Sequence, residues 1–162
     1  MTKQVIVVNK GLGMTKGKMA AQVSHASIAF LTKRYLLSNE NLTEKDDGYT
    51  LHIDIDKEAY EWLTSSYTKV ICEVKDEKEL QKVVDKAIKN GFIEDKDFFK
   101  VIDNGYTEFN NQKTWTCIGF RPMESEKIDK ITKRLRLFKE DNTWYMQFVI
   151  FVEKIVTEQL TY

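Results

Sequence analysis

A chain of 162 residues with 42% apolar and 31% charged side chains, one proline and seven glycines has the length for one domain with a real core, and is neither disordered nor of low complexity. Twenty-five bases balance twenty-five acids, so no overall charge marks a partner. Two cysteines, Cys72 and Cys117, exclude a disulfide framework, and no apolar run approaches the roughly 18 residues that a bilayer span needs.

In chain order, Lys3 to Asn9 (KQVIVVN) is β-branched and continuous, as in a strand buried on both faces. The loop Lys10–Thr15 leads into a predicted helix from Lys16 to about Leu36, with Thr15 as N-cap. Its apolar stripe is Met19, Val23, Ala26 and Phe30, and Lys18, Gln22 and His25 form a polar row beside it. Ala20, Ala21, Ser24 and Ala26 are small enough to let the helix lie close to strands.

Residues 38–48 read as an exposed acidic loop, and Asp56–Ser65 as a short helix carrying Trp62. Thr68–Val74 is a second strand. Asp76–Asn90 is an amphipathic helix capped by Asp76 and Glu79, ended by Gly91, and buried through Leu80, Val83, Val84, Ala87 and Ile88. Phe98–Ile102 is a third strand, Asp103–Lys113 a polar loop and Thr114–Phe120 a fourth strand. Glu124 to about Phe138 reads as a basic helix with Ile128, Ile131, Leu135 and Phe138 inward. Strands separated by helices imply parallel crossovers, and the short last connection an antiparallel pair. The expected fold is α/β, a three-layer sandwich in which a mixed four-stranded sheet carries helices on both faces. Residues 141–162 form a further apolar segment, expected to pack on the domain or on a dimer partner.

The neutral total conceals segregation. Residues 1–39 carry six bases and no acid, residues 40–126 have an excess of eight acids, and residues 127–139 hold six bases against Asp129. Brought together, the two basic segments would make a positive face of the kind nucleic acid needs. The glycine-bearing loop into the first helix points backbone N–H groups towards an anion, and Lys16 and Lys18 sit in a first turn where the helix dipole disfavours cations. That local conflict suggests function. Asp103-Asn-Gly-Tyr-Thr107 reads as a turn, but one leaving a strand end, where α/β sites gather. His25 and His52 are the two histidines; with two scattered cysteines no metal site is expected, and no G-x-S-x-G or H-E-x-x-H motif occurs.

The stretch Lys16-Gly-Lys-Met-Ala-Ala-Gln-Val-Ser-His-Ala26 resembles the helix signature K-G-K-x-A-A-Q-x-x-H-A of the type 2 peptidyl-tRNA hydrolase family. VIDNGYTEF is similar to its D-x-G-x-T segment, with Asp103, Gly105 and Thr107 in register. TCIGFRP and KITKRLRL resemble its last strand and final helix, so the likeness spans most of residues 3–138. The family usually has an acid at Gly11, an arginine at Tyr106 and a glutamine at Glu108. Residues 38–56 look inserted, and 140–162 extend past the usual end.

The resemblance implies a hydrolase domain over 1–138, with 139–162 as an extension. The implied reaction is hydrolysis of the ester between peptide and tRNA in the cytoplasm, without cofactor, metal or membrane; the extension is compatible with a homodimer. It places Lys18 close to Asp103, with Thr107 nearby. Asp103 would position or activate water, directly or through Thr107, and Lys18 would stabilise the oxyanion or a phosphate. Gln22 and His25 would orient the site, His25 also standing as reserve base. Lys16, Lys33, Lys130, Lys133, Arg134 and Arg136 would contact tRNA phosphates. Two other readings are a relative acting on another acylated tRNA and a non-catalytic RNA- or protein-binding domain of the same fold.

Overall fold

The computed structural model describes residues 1–36, 42–65 and 67–139. β1 (Thr2–Asn9) is buried along nearly its whole length because it is central, parallel to β4 on one side and antiparallel to β6 on the other. A 3-10 turn at Lys10–Leu12 leads into α1 (Lys16–Leu36). The Thr15 hydroxyl accepts the Lys18 N–H at its start. A hairpin follows, β2 (Leu42–Lys45) and β3 (Gly48–Leu51), and then α2 (Lys57–Thr64), capped by the Asp56 carboxylate on the Ala59 N–H. β4 (Lys69–Val74) and α3 (Glu77–Lys89) come next, the latter capped by Asp76 on the Glu79 N–H. The chain closes with β5 (Phe98–Asp103), β6 (Thr114–Phe120), β7 (Met123–Glu124), α4 (Ser125–Thr132) and β8 (Arg136–Leu137).

The sheet order is β5-β6-β1-β4-β8, with β7 on the start of β1. The four long strands make the mixed sheet expected from the sequence; β7 and β8 add two short pieces at its margins. α1 and α2 cover one face and α3 and α4 the other. Val5, Val7, Leu80, Val83, Val84, Phe98, Ile118, Phe120, Ile128 and Ile131 fill the α3/α4 layer. Ile6, Val8, Ala26, Val101 and Cys117 fill the layer under α1, where Ala29, Phe30, Trp62 and Phe99 continue it towards α2. A fully buried side chain of this size contributes about 1.5–3 kcal/mol.

α1 lies very close to the sheet at Gly119, where a Cβ would stand 2.3 Å from the Ala26 carbonyl oxygen. Of the four small residues expected to allow this, Ala26 makes the contact, whereas Ala20, Ala21 and Ser24 are exposed. Between Val101 and Ile102 the β5–β6 register shifts, Val101 facing Cys117 and Ile102 facing Trp115. Thr116 is the extra residue of a β-bulge. Cys117 joins the layer under α1, Trp115 packs on the opposite layer, and Thr116, fully buried, reaches α1 with its hydroxyl.

Three expectations change. The acidic loop is a hairpin from residue 42 onward, and residues 37–41 lie outside the described ones. The basic helix ends at Thr132, not near Phe138. A turn through Lys133 and Arg134 lets Leu135 and Phe138 pack on the two layers, while Arg136 and Leu137 pair with β4, Arg136 opposite Glu73. Ile88 is exposed, because the buried face of α3 ends at Ala87. The apolar segment 141–162, and with it the expected packing or dimer contact, lies outside the described residues. Both cysteines are free and buried. Among the described residues no helix is long and apolar enough to cross a membrane.

Candidate active site

β5 is parallel to β1 and β4, so Asn9, Val74 and Asp103 end their strands at one edge of the sheet. The N-terminal turns of α1 rise from this edge, because α1 is connected to the end of β1. Helical spacing of four then sets Lys18 and Gln22 on one side of α1, facing the end of β5. Gln22 is buried and Lys18 half-buried.

The Lys18 ammonium donates to Asp103 Oδ2 at 2.7 Å and to Thr107 Oγ1 at 3.1 Å, and lies 5.6 Å from the centre of the Phe109 ring. Gln22 Nε2 donates to the same Asp103 Oδ2 at 2.8 Å. The Gly105 N–H donates to Asp103 Oδ1 at 2.7 Å, the Asx-turn that the Asp-Asn-Gly sequence favours. Gly105 has φ 83°, and a Cβ there would meet the backbone of Gln112 at 2.5 Å, so only glycine closes this turn. The Thr116 hydroxyl donates to Gln22 Oε1 at 2.8 Å, which turns the amide nitrogen towards Asp103. The loop is tied back to α1 where the Thr15 hydroxyl donates to Glu108 Oε1 at 2.5 Å. Phe109, Asn110 and Asn111 all have positive φ, a run of left-handed backbone beside the cluster.

The side chains of Lys18 and Asp103 are 11% and 13% exposed, so water screens this pair less than a surface pair. Burial alone pushes the Asp103 carboxyl up. The Lys18 ammonium, the Gly105 N–H and the Gln22 amide outweigh it and hold the group below the usual carboxylate range. Asp103 is therefore an anion at neutral pH. Both lone pairs of Oδ2 are engaged by Lys18 and Gln22, which leaves Oδ1 with room for one more donor.

His25 is exposed one turn beyond Gln22 and takes no part in these hydrogen bonds. It lines a groove of about 420 Å³ that continues from Gln22 and Asp103 between α1 and β5, past Ile28, Ile102, Lys33 and Lys100. The Lys33 ammonium is held there by the Lys100 carbonyl. Lys16 is exposed in the first turn of α1. Lys133 is exposed after α4. Arg134 and Arg136 line a second groove at the same sheet edge, whereas Lys130 faces a groove at the opposite edge, with Phe92 and Arg121. The basic residues of the C-terminal segment are thus divided between two ends of the sheet. Sequence reasoning missed Thr116, the Gly105 amide and Phe109; the one visible signal was a hydroxyl inside the apolar run TWTCIGF.

A helix and a strand end of an α/β protein thus bring an ammonium and a carboxylate together in a largely desolvated position, with an exposed hydroxyl beside them. Residues 2–138 match the family model described as peptidyl-tRNA hydrolase PTH2, and the chain belongs to that family. A peptidyl-tRNA hydrolase of Methanopyrus kandleri is 34% identical over 139 residues, covering 86% of this chain and all of the relative. One from Thermoplasma acidophilum is 32% identical (83% of this chain, 97% of the relative), and one from Methanothermobacter thermautotrophicus is 36% identical (83% and 98%).

Proposed function

We propose that the Lys18–Asp103–Thr107 cluster is the centre at which this chain hydrolyses the ester joining a peptide to tRNA, in the cytoplasm where translation runs. The observation that carries this reading is the Lys18–Asp103 pair at 2.7 Å, made by residues 85 positions apart. Ester hydrolysis needs an oriented water, an acceptor for its proton, and positive charge where the tetrahedral oxyanion forms.

Asp103, held ionised, orients water through the open position on Oδ1. Its depressed pKa makes it a weak base, so orientation is its main contribution. Lys18 already donates to Thr107 Oγ1, which leaves the Thr107 proton free to donate or to relay. The Lys18 ammonium carries the charge that meets the oxyanion or the neighbouring phosphate. Gln22 positions Asp103. His25 borders the site from the groove side and stands as the reserve acceptor for the proton of the attacking water. No step calls on a cofactor.

The test is deacylation of peptidyl-tRNA by the wild type and by Asp103→Asn, Lys18→Met and Thr107→Ala. Loss of a group that stabilises the transition state lowers kcat by about 10²–10³-fold. Wild-type kcat in both Asp103→Asn and Lys18→Met would remove the reaction from this cluster.

A further inference from the structure

A groove of about 750 Å³ lies at the ends of β1 and β4, lined by Lys10, Gly11, Glu73, Lys75, Glu79, Arg134 and Arg136 among others. It shares the sheet edge with the Lys18–Asp103 cluster and lies towards the β4 side of β1, while the cluster lies towards β5. Its acids are already compensated. Glu73, 8% exposed, is shared by Lys10 at 3.1 Å, Arg136 at 3.8 Å and the Lys139 N–H; burial pushes its carboxyl up, and the two cations and the peptide N–H together hold it below the usual range. Glu79 is paired with Lys82 at 2.6 Å. Lys75 and Arg134, both exposed, enter no ion pair among the described residues. The groove therefore presents a cationic surplus fixed on a rigid acid. Gly11 lets the turn after β1 lie directly against the chain leaving β4: a Cβ there would stand 1.9 Å from the Lys75 carbonyl oxygen, so a side chain would push these two walls of the groove apart.

Strands lie about 4.8 Å apart, so the end of β5 and the end of β4, three positions along the sheet, are separated by roughly 15 Å. A few nucleotides of single-stranded RNA bridge such a gap. The groove on the other side of the cluster has a different character, with exposed Ile28 and Ile102 and its lysines engaged, Lys33 by a carbonyl and Lys100 by Glu94.

We propose that the Lys10–Lys75–Arg134–Arg136 groove binds backbone phosphates of the tRNA acceptor end, a second anchor that gives the ester one direction across the Lys18–Asp103 cluster. The peptide then leaves towards Ile28 and Ile102. This rests on the peptidyl-tRNA reading, but it is tested by binding as well as by turnover.

The experiment compares wild type, Lys75→Gln/Arg134→Gln, and Lys89→Gln. The last removes a charge at the far end of α3, and all of these side chains are exposed. Affinity for deacylated tRNA is measured over a salt series, and kcat and KM are measured with peptidyl-tRNA. Losing two phosphate contacts flattens the slope of log K against log salt by roughly 1.5 and raises KM about tenfold, with kcat retained. An unchanged slope and KM in the double variant overturn the proposal, as does an equal loss in Lys89→Gln. If the double variant loses its salt slope while Asp103→Asn keeps full activity, the groove stands and the catalytic assignment falls.

Discussion

Asp103 receives three donors on two oxygens, and its ionisation is coupled to folding. A carboxyl whose pKa is lowered by the fold contributes stability that is complete above its unfolded pKa, near 3.8, and is lost as pH falls through the lower folded value. Thermal unfolding followed from about pH 5 down to about pH 2 should show a steeper loss for wild type than for Asp103→Asn, which carries no such titration. Equal slopes would mean that the carboxylate gains nothing from Lys18.

Thr116 acts one residue further back. Without its hydroxyl the Gln22 amide is free to turn, and Asp103 loses a donor. Thr116→Val should lower kcat about fivefold, corresponding to about 1 kcal/mol for one hydrogen bond, and move the acid limb of the pH–rate profile upward. Thr116→Ser should restore both. A purely structural role for Thr116 would leave the acid limb in place.

At the scale of elements, the site depends on how closely α1 rests on β6. Gly119→Ala would force a methyl against the Ala26 carbonyl and lift the helix that carries Lys18 and Gln22. The expected cost is about 2–3 kcal/mol, read by denaturant unfolding, together with a fall in kcat at temperatures where the variant is folded. Retained stability and activity would show that α1 has slack at this point.

Helical periodicity was enough to align Lys18 with Gln22 from sequence, and the D-x-G-x-T segment to name Asp103. The bulge at Thr116 was not legible, because a register shift belongs to a pair of strands and neither strand records it alone. The run KITKRLRLF misled for a related reason. Leu135 and Phe138 continue the helical spacing of Ile128 and Ile131, yet the chain turns at Lys133–Arg134, and pairing with β4 decides the outcome.

Over the whole molecule, the two ends of the sheet have different duties. At the end away from the cluster, Arg121 bonds Asp97 at 3.0 Å, Asp56 at 2.8 Å and Glu58 at 3.0 Å, joining the approach to β5, the cap of α2 and the exit of β6. Glu58 also accepts from Lys127 and the Glu124 N–H. Arg121→Met leaves several carboxylates without their common partner. It should cost about 2–3 kcal/mol of stability, less than a fully buried pair because Arg121 is 19% exposed, while KM for peptidyl-tRNA stays unchanged. A raised KM would mean that substrate reaches this end too. The charge segregation read along the chain is likewise only partly a surface property. Lys3 is spent on Asp129, Lys10 and Arg136 share the single carboxylate of Glu73, and Lys130 points away from the cluster.

The supernumerary residue on β6 has an arithmetic consequence. Excising Thr116 would bring the two strands back into step without turning Trp115 over, because Cys117 and Thr116 both face α1 and Trp115 would still alternate with Cys117. What a gap removes is the local kink of the strand together with the hydroxyl that holds the Gln22 amide, whereas a serine in place of the threonine keeps both.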